Sequence, residues 1–285
     1  MYLTSIEMAR QAEETRMRGG RVLALVPVGC TEQHGPFLPL ETDSLIAEGM
    51  ARALCEKIEE EFARGYVFPG LSYSPTRTNA GFAGTVSISE DCFRGVLLEV
   101  GRGILHSGFD GLIFVSGHGP ADPSLKEIAC RLVHDQFSSG SVSAVHPVLV
   151  LSLFEQSLNM ESSQKPGLHA DWREFLLLYH LLGDSFFDEK RMREMRKFME
   201  QHDFAFSPSC IPGIPLEHRS VRGVIGEPLP GGTENPGRLA EEFWEKLLLS
   251  LHESLGQELG NFFSKWPGLP ECRGKNEKRV LGTEK

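Results

Sequence analysis

At 285 residues, the chain is long enough for one large domain or two small ones. Hydrophobic residues make up 40% and charged residues 24%, the balance of an ordinary globular protein and not of a disordered or fibrous one. With 29 basic against 39 acidic residues the net charge is −10, which argues against nucleic acid or an anionic membrane as the main partner.

Taken in chain order, the N-terminus has no basic segment followed by an apolar core, so no secretory signal is expected and the cytoplasm is the expected compartment. No apolar run approaches the roughly 18–20 residues that span a bilayer. Val22–Pro27 reads as a buried strand, and Asp43 to about Ala63 shows helical periodicity. Tyr66–Tyr73 is a candidate second strand, followed by a Gly/Asn/Thr-rich loop to Thr85. Ser89 caps a helix with Glu90 and Asp91 in its first turn, running to about His106 and stopping at Gly108. Leu112–Val115 is short and continuously apolar, as in a strand buried on both faces. A helix over Pro123–Phe137 and a strand over Ala144–Phe154 follow. Further on, the apolar stretch Glu174–Leu182, the charged amphipathic stretch Asp188–His202 and Pro236 to about Leu255 all read as helices. This alternation predicts a three-layer α/β/α sandwich around a mostly parallel sheet. The domain is expected over residues 1–258, with 259–285 a loosely ordered tail poor in apolar residues.

Three groups of residues could carry chemistry. The run Gly29-Cys-Thr-Glu-Gln-His-Gly-Pro-Phe-Leu-Pro-Leu-Glu-Thr-Asp43 directly follows the first strand. It puts Glu32, His34 and Asp43 past a strand end, where open α/β sheets place ligand sites. Glu32 and His34 are two apart, so an extended backbone points both the same way. Two carboxylates and an imidazole on one point indicate a metal, and Gly35, Pro36 and Pro39 would stiffen the loop. Ser116-Gly-His-Gly-Pro120 follows the second buried strand and brings His118 to the same sheet edge. His169-Ala-Asp-Trp-Arg-Glu174 opens the apolar helix; Asp171 or Glu174 there could simply complement the helix dipole.

These motifs resemble the creatininase (creatinine amidohydrolase) family over most of residues 20–255. The long opening motif is the most specific part. Gly81-Phe-Ala-Gly-Thr85 is similar to the family's Phe-Pro-Gly-Thr element, and Gly223-Val-Ile-Gly-Glu-Pro228 to its late Gly-Val-x-Gly-Asp-Pro loop. His118 matches the histidine of Asn-Gly-His-Gly-Gly-Asn, while His169 and Glu174 match the His and second Glu of His-Ala-Gly-Glu-x-Glu-Thr-Ser. The resemblance implies two divalent metal ions per subunit, zinc, manganese or iron. Glu32, Asp43 and His118 would bind one, His34, Asp43 and Glu174 the other, with Asp43 bridging. A shared water, held as hydroxide, would attack an amide carbon, and catalytic His169 would carry a proton to the leaving nitrogen. The implied substrate is a small-molecule amide, and the implied assembly a homo-oligomer, a hexamer.

The chain departs from the family pattern at several places. Ser116 stands for Asn, and Gly119-Pro-Ala121 for Gly-Gly-Asn; in creatininase itself Pro120's position is a metal-binding Glu. Phe37 stands for His, and Asp171-Trp172 for Gly-Glu. Creatinine is therefore not the expected substrate, and Phe37, Ser116 and Trp172 are candidate substrate-binding residues. Alternatives are a peptidase acting on a modified peptide, and a non-catalytic metal-binding scaffold subunit. Other residues have weaker claims. Arg77, Thr78 and Asn79 lie in a polar loop that could bind substrate, a solvated loop being the preferred reading, and Glu217, His218 and Arg222 could reach the site from a lid or a neighbouring subunit. His134, His146, His180, His202 and His252 lack supporting partners in sequence. The six cysteines show no CxxC pair, so no disulfide framework is expected; Cys30, inside the opening motif, is a possible nucleophile.

Overall fold

A computed structural model describes residues 3–61, 63–138, 145–160, 167–201, 215–230 and 236–265. The elements in order are α1 (Ser5–Met17), β1 (Arg21–Val28), α2 (Thr42–Glu61), β2 (Ala63–Val67), α3 (Glu90–His106), β3 (Gly111–Ser116), α4 (Asp122–Ser138), β4 (Val148–Ser152), α5 (Leu153–Leu158), α6 (Trp172–Phe186), α7 (Glu189–Gln201) and α8 (Pro236–Lys265). α1 adds to the elements predicted from sequence. None of its residues is buried, so it lacks the apolar stripe that reveals a core helix, but Thr4 and Glu7 form a reciprocal capping box at its start.

The four strands are all parallel, in the order β2-β1-β3-β4. From β1 the chain first steps outward to β2, then crosses back to lay β3 on the other side of β1. The strand ends at Val28 and Ser116 thus flank a topological switch point, where crossover loops diverge and leave a crevice. Period-2 alternation sorts the side chains. Leu23, Leu25, Ile113, Val115 and Leu151 pack with Met50 and Leu54 of α2, Phe175 and Leu178 of α6, and Leu247 and Leu251 of α8. Val22, Ala24, Val26, Leu112 and Phe114 pack with Phe93 and Leu97 of α3 and with Leu125, Ile128 and Leu132 of α4. The three-layer α/β/α sandwich is the predicted fold.

Several boundaries differ from expectation. β2 starts at Ala63 and ends at Val67, because Pro69 has no N–H to donate to a ladder. The segment rejoins β1 only at Leu71, whose N donates to Pro27 O at 3.0 Å. Phe154 belongs to α5, started by Ser152, whose Oγ accepts from Glu155 N at 3.0 Å. Ala144 and His202, the outer ends of a predicted strand and helix, lie outside the described residues. α8 continues to Lys265 and buries Leu259, so the stretch read as a tail begins inside a packed helix. Among the described residues Cys30, Cys55, Cys92 and Cys130 form no disulfide; Cys210 and Cys272 lie outside the described residues. No described helix is long and apolar enough to cross a membrane.

Two glycines let the start of α2 close over the switch point. A Cβ on Gly29 would stand 2.5 Å from the Ser44 backbone, and one on Gly117 only 2.2 Å from Asp43 O. Gly117→Ala should therefore displace the first turn of α2 and cost more than the roughly 1–3 kcal/mol of ordinary overpacking. Chemical denaturation against the parent protein checks this; a variant within about 0.5 kcal/mol of the parent would show that the backbone yields freely.

Candidate metal centre

Past β1 the chain folds back on itself. Glu32 N donates to Leu40 O at 3.0 Å, and His34 bridges Leu38, with Gly35 at the positive φ of 65° that the tight turn requires. Asp43 occupies the first turn of α2, and His118 follows β3. At the head of α6 two acids compete for one job. Asp171 takes the cap, its carboxylate accepting from Arg173 N at 3.0 Å and from Glu174 N at 3.4 Å. Asp171 also pairs with buried Arg173 at 2.8 Å and accepts from Gly167 N at 2.9 Å. The helix dipole is thereby served, and Glu174 is left to face the crevice.

There the predicted ligands converge. His34 Nε2 lies 3.0 Å from Asp43 Oδ1 and 3.8 Å from Glu174 Oε2. Glu32 Oε1 lies 3.6 Å from His118 Nε2 and 3.6 Å from His169 Nδ1. Each of the three imidazoles is held by its other nitrogen. His34 Nδ1 meets Glu32 O at 3.1 Å, His118 Nδ1 meets Ser74 Oγ at 2.7 Å, and His169 Nε2 meets Gln33 O at 2.7 Å. His169 Nε2 is also 2.9 Å from the Gln33 side-chain nitrogen, but that amide donates to Gly223 O at 3.1 Å. A carbonyl can only accept, so the His169 proton sits on Nε2 and the Nδ1 lone pair faces the centre. Glu32 Oε2 accepts from Asn79 Nδ2 at 2.6 Å and from the Thr76 hydroxyl. Such anchoring of the far side of each donor is what orients metal ligands.

Burial and charge are at odds here. Burial alone would raise the Glu32 carboxyl, yet His118, His169, His34 and Thr76 together bring it down to about 2. Burial would lower His34, but Asp43, Glu174 and Glu32 raise it to about 10. Glu174 is pushed up to about 8, first by burial and then by Asp171 and Asp43, against the pull of His34. Burial and the neighbouring His34 lower His169 to about 4. Burial and Glu32 push the Cys30 thiol up to about 12.

Among the described residues, four buried atoms of this cluster make no well-formed hydrogen bond: Asp43 Oδ2, His118 Nε2, Glu174 Oε2 and His34 Nε2, the last with only the ion-pair contact to Asp43 Oδ1 at 3.0 Å. Buried polar atoms without partners are costly, and a cation would satisfy imidazole nitrogens and carboxylate oxygens together. The donor set fits a divalent ion. Among the described residues three sets have ligand atoms within 4.8 Å of one another: Cys30, Glu32 and His118; Glu32, His34 and His169; His34, Asp43 and Glu174. Asp43 falls in one set only, and Cys30 stands with Glu32 and His118.

A cavity of about 260 Å³ opens onto the cluster, lined by Glu32, Asp43, His118, His169 and Glu174 and walled by Phe154, Leu168, Leu216, Arg219 and Ile225. The three residues expected to bind substrate lie elsewhere. Trp172 is 5% exposed and packs edge-on against Phe243, because its place at the start of α6 faces the core. Ser116 is buried with its hydroxyl on His118 O at 3.3 Å, and Phe37 packs edge-on against Phe198. Conversely, Asn79 is buried and serves Glu32, where a solvated loop was expected, and Thr78 reaches the cavity. The Thr76-x-x-Asn79 spacing of a single helical turn was the available signal. From the later segment Leu216 and Arg219 reach the cavity, while Glu217 sits against Gly81. The glycine loop near 223 pairs with the His169 segment, with Ile225 N on His169 O at 2.9 Å.

Comparison with known proteins bears on the family and the fold. Residues 7–251 match the family model "Creatininase: Creatinine amidohydrolase". The mycofactocin precursor peptide peptidase of Mycobacterium ulcerans is 40% identical over 99 residues, 33% of this chain and 39% of that protein. Creatinine amidohydrolase of Pseudomonas putida is 28% identical over 117 residues, 39% of this chain and 43% of that protein. The chain thus spans less than half the length of either relative. A crystal structure of creatinine amidohydrolase superposes with a TM-score of 0.70 at 21% identity, covering 90% of this chain and 96% of that one. With the family model spanning nearly the whole chain, this protein belongs to the creatininase family.

Proposed function

We propose that this chain is a metal-dependent amidohydrolase that holds two divalent ions per subunit, zinc, manganese or iron, and cleaves a cyclic or other non-peptide amide C–N bond. The four buried donor atoms at the switch point that make no well-formed hydrogen bond carry this reading. Ions held by Glu32 and His118 on one side, and by His34, Asp43 and Glu174 on the other, would supply an activated water and polarise the amide carbonyl. The chain's own residues supply the rest. Asn79 and Thr76 fix the Glu32 carboxylate. His169, anchored through Nε2, presents Nδ1 to the centre as an acceptor that can take a proton from the attacking water and pass it to the leaving nitrogen. Phe154, Leu168, Leu216 and Ile225 wall the cavity with apolar surface, and its volume of about 260 Å³ suits a small amide. Solved creatininases of the same fold include a Zn–Zn type and a Mn form, which supports either metal here. We place the enzyme in the cytoplasm as a homo-oligomer, a hexamer by family resemblance.

A second reading, a peptidase acting on a modified peptide, is favoured by the 40% identity to the Mycobacterium ulcerans peptidase. A panel of lactams, formamides and short peptides separates the two. The metal-replete protein should carry close to two ions per chain and hydrolyse a member of that panel. Glu32→Gln should abolish turnover and lower the metal content while the circular dichroism spectrum stays unchanged. A protein that takes up no metal and cleaves nothing would instead be a scaffold.

Removal of metal should also change the pH dependence of stability. Folded His34 keeps its proton to about 10 against an ordinary 6.5, and folded Glu174 to about 8 against 4.5. Between about pH 7 and pH 8 both therefore bind more protons in the folded than in the unfolded chain, so metal-free stability falls as pH rises. Metal competes for the same sites as those protons, so its stabilising effect grows over that interval. Thermal midpoints with and without chelator at both pH values measure this. A metal-free midpoint that climbs from pH 7 to pH 8 contradicts the assigned charges.

A further inference from the structure

Cys30, Glu32 and His34 occupy alternate positions just past β1, and extended backbone turns such positions to one side. Two of the three are candidate ligands already described. The third, Cys30, is 0% exposed, which by itself would suit a small core hydrophobe. Its surroundings are not those of a core residue. Its Sγ, a Glu32 carboxylate oxygen and a His118 ring nitrogen lie within 4.8 Å of one another. His118 is 2% exposed; its Nδ1 is occupied by Ser74 Oγ, so unpartnered Nε2 is the nitrogen turned to this group. Among the described residues the thiol makes one long hydrogen-bond contact, to Ser74 O at 3.9 Å.

We propose that Cys30 is the third protein ligand of the ion held by Glu32 and His118. The inference rests on the two-ion reading above and refines it. One position takes a sulfur, oxygen and nitrogen donor set, and the other, at His34, Asp43 and Glu174, takes nitrogen and oxygen only. Soft thiolate donors favour zinc and its cobalt surrogate over manganese, so the two positions differ in preference. Ligation exchanges one S–H bond for one S–metal bond and releases one proton to solvent, with no oxidant or reductant involved. The same chemistry removes Cys30 as a free nucleophile.

The test uses the full chain, stripped with chelator and reloaded with Co²⁺ or Zn²⁺ alone. The cobalt protein should show an intense near-ultraviolet thiolate-to-cobalt charge-transfer band that Cys30→Ser lacks at equal cobalt content. X-ray absorption of the zinc protein should show a sulfur neighbour at about 2.3 Å, also lost in the variant. Cobalt bound without the band, or the same band persisting in Cys30→Ser, overturns the proposal and leaves the two-ion reading standing. Failure to bind either metal overturns both. Should Cys30→Ser fail to fold, the zinc spectrum of the parent protein decides alone: a shell of only oxygen and nitrogen neighbours rules Cys30 out.

Discussion

The closeness of the α2 start to the ends of β1 and β3 is the constraint on which the rest of this structure depends. Gly117 would place a Cβ 2.2 Å from Asp43 O, and Gly29 one 2.5 Å from the Ser44 backbone. Side chains at either glycine would hold Asp43 away from His34. Because β1 and β3 are neighbours in a parallel sheet, their carboxyl ends deliver Glu32, His34 and His118 to one place. The head of α6 then closes the ring with Glu174, held at its own angle by the buried Asp171–Arg173 pair. Every donor thus rides on a strand end or a helix start, where backbone hydrogen bonds leave little freedom. Residue 170 shows how tightly the second segment is held: Ala170 adopts a φ of 52°, uncommon for a residue with a Cβ, between His169 and Asp171.

That rigidity has an electrostatic cost. Without an ion, His34 is drawn toward its charged form by three carboxylates, while Glu174 is driven toward its neutral form by burial. Folding the chain therefore assembles a site with more unsatisfied donors than its own protons can serve. A bound dication would offset this by satisfying several donors at once, coupling metal affinity to fold stability.

How much of this was legible in the sequence depends on which physical rule governed each residue. Glu32 and His34 were readable because period-2 alternation and a strand end fix both direction and place. His118 followed from the second buried strand by the same reasoning. Glu174 was ambiguous in isolation, since Asp171 and Glu174 both suit a helix N-terminus; only the fold shows that Asp171 accepts the two amides and frees Glu174. Its assignment came from family resemblance. At Trp172 helix direction, not proximity in sequence to His169, decides where the side chain points, and position 172 turns into the core. Asn79 was hidden because its partner, Glu32, is 47 residues away, a separation no local pattern encodes.

The division of labour between ligands and cavity walls explains why the reaction class is easier to read than the substrate. The ligands belong to short motifs on regular elements, and their spacing is dictated by strand and helix geometry. The walls come from separate places: Thr78 and Asn79 in one loop, Phe154 at the start of α5, Leu168 beside His169, and Leu216, Arg219 and Ile225 in the late segment. These positions answer to no periodicity, although Asn79 holds the Glu32 carboxylate and Ile225 pairs with the His169 segment. Arg219 and Pro120 also line the cavity beside this cluster. Selectivity should accordingly reside in the loop residues that face the cavity, while the strand ends retain the chemistry common to the fold.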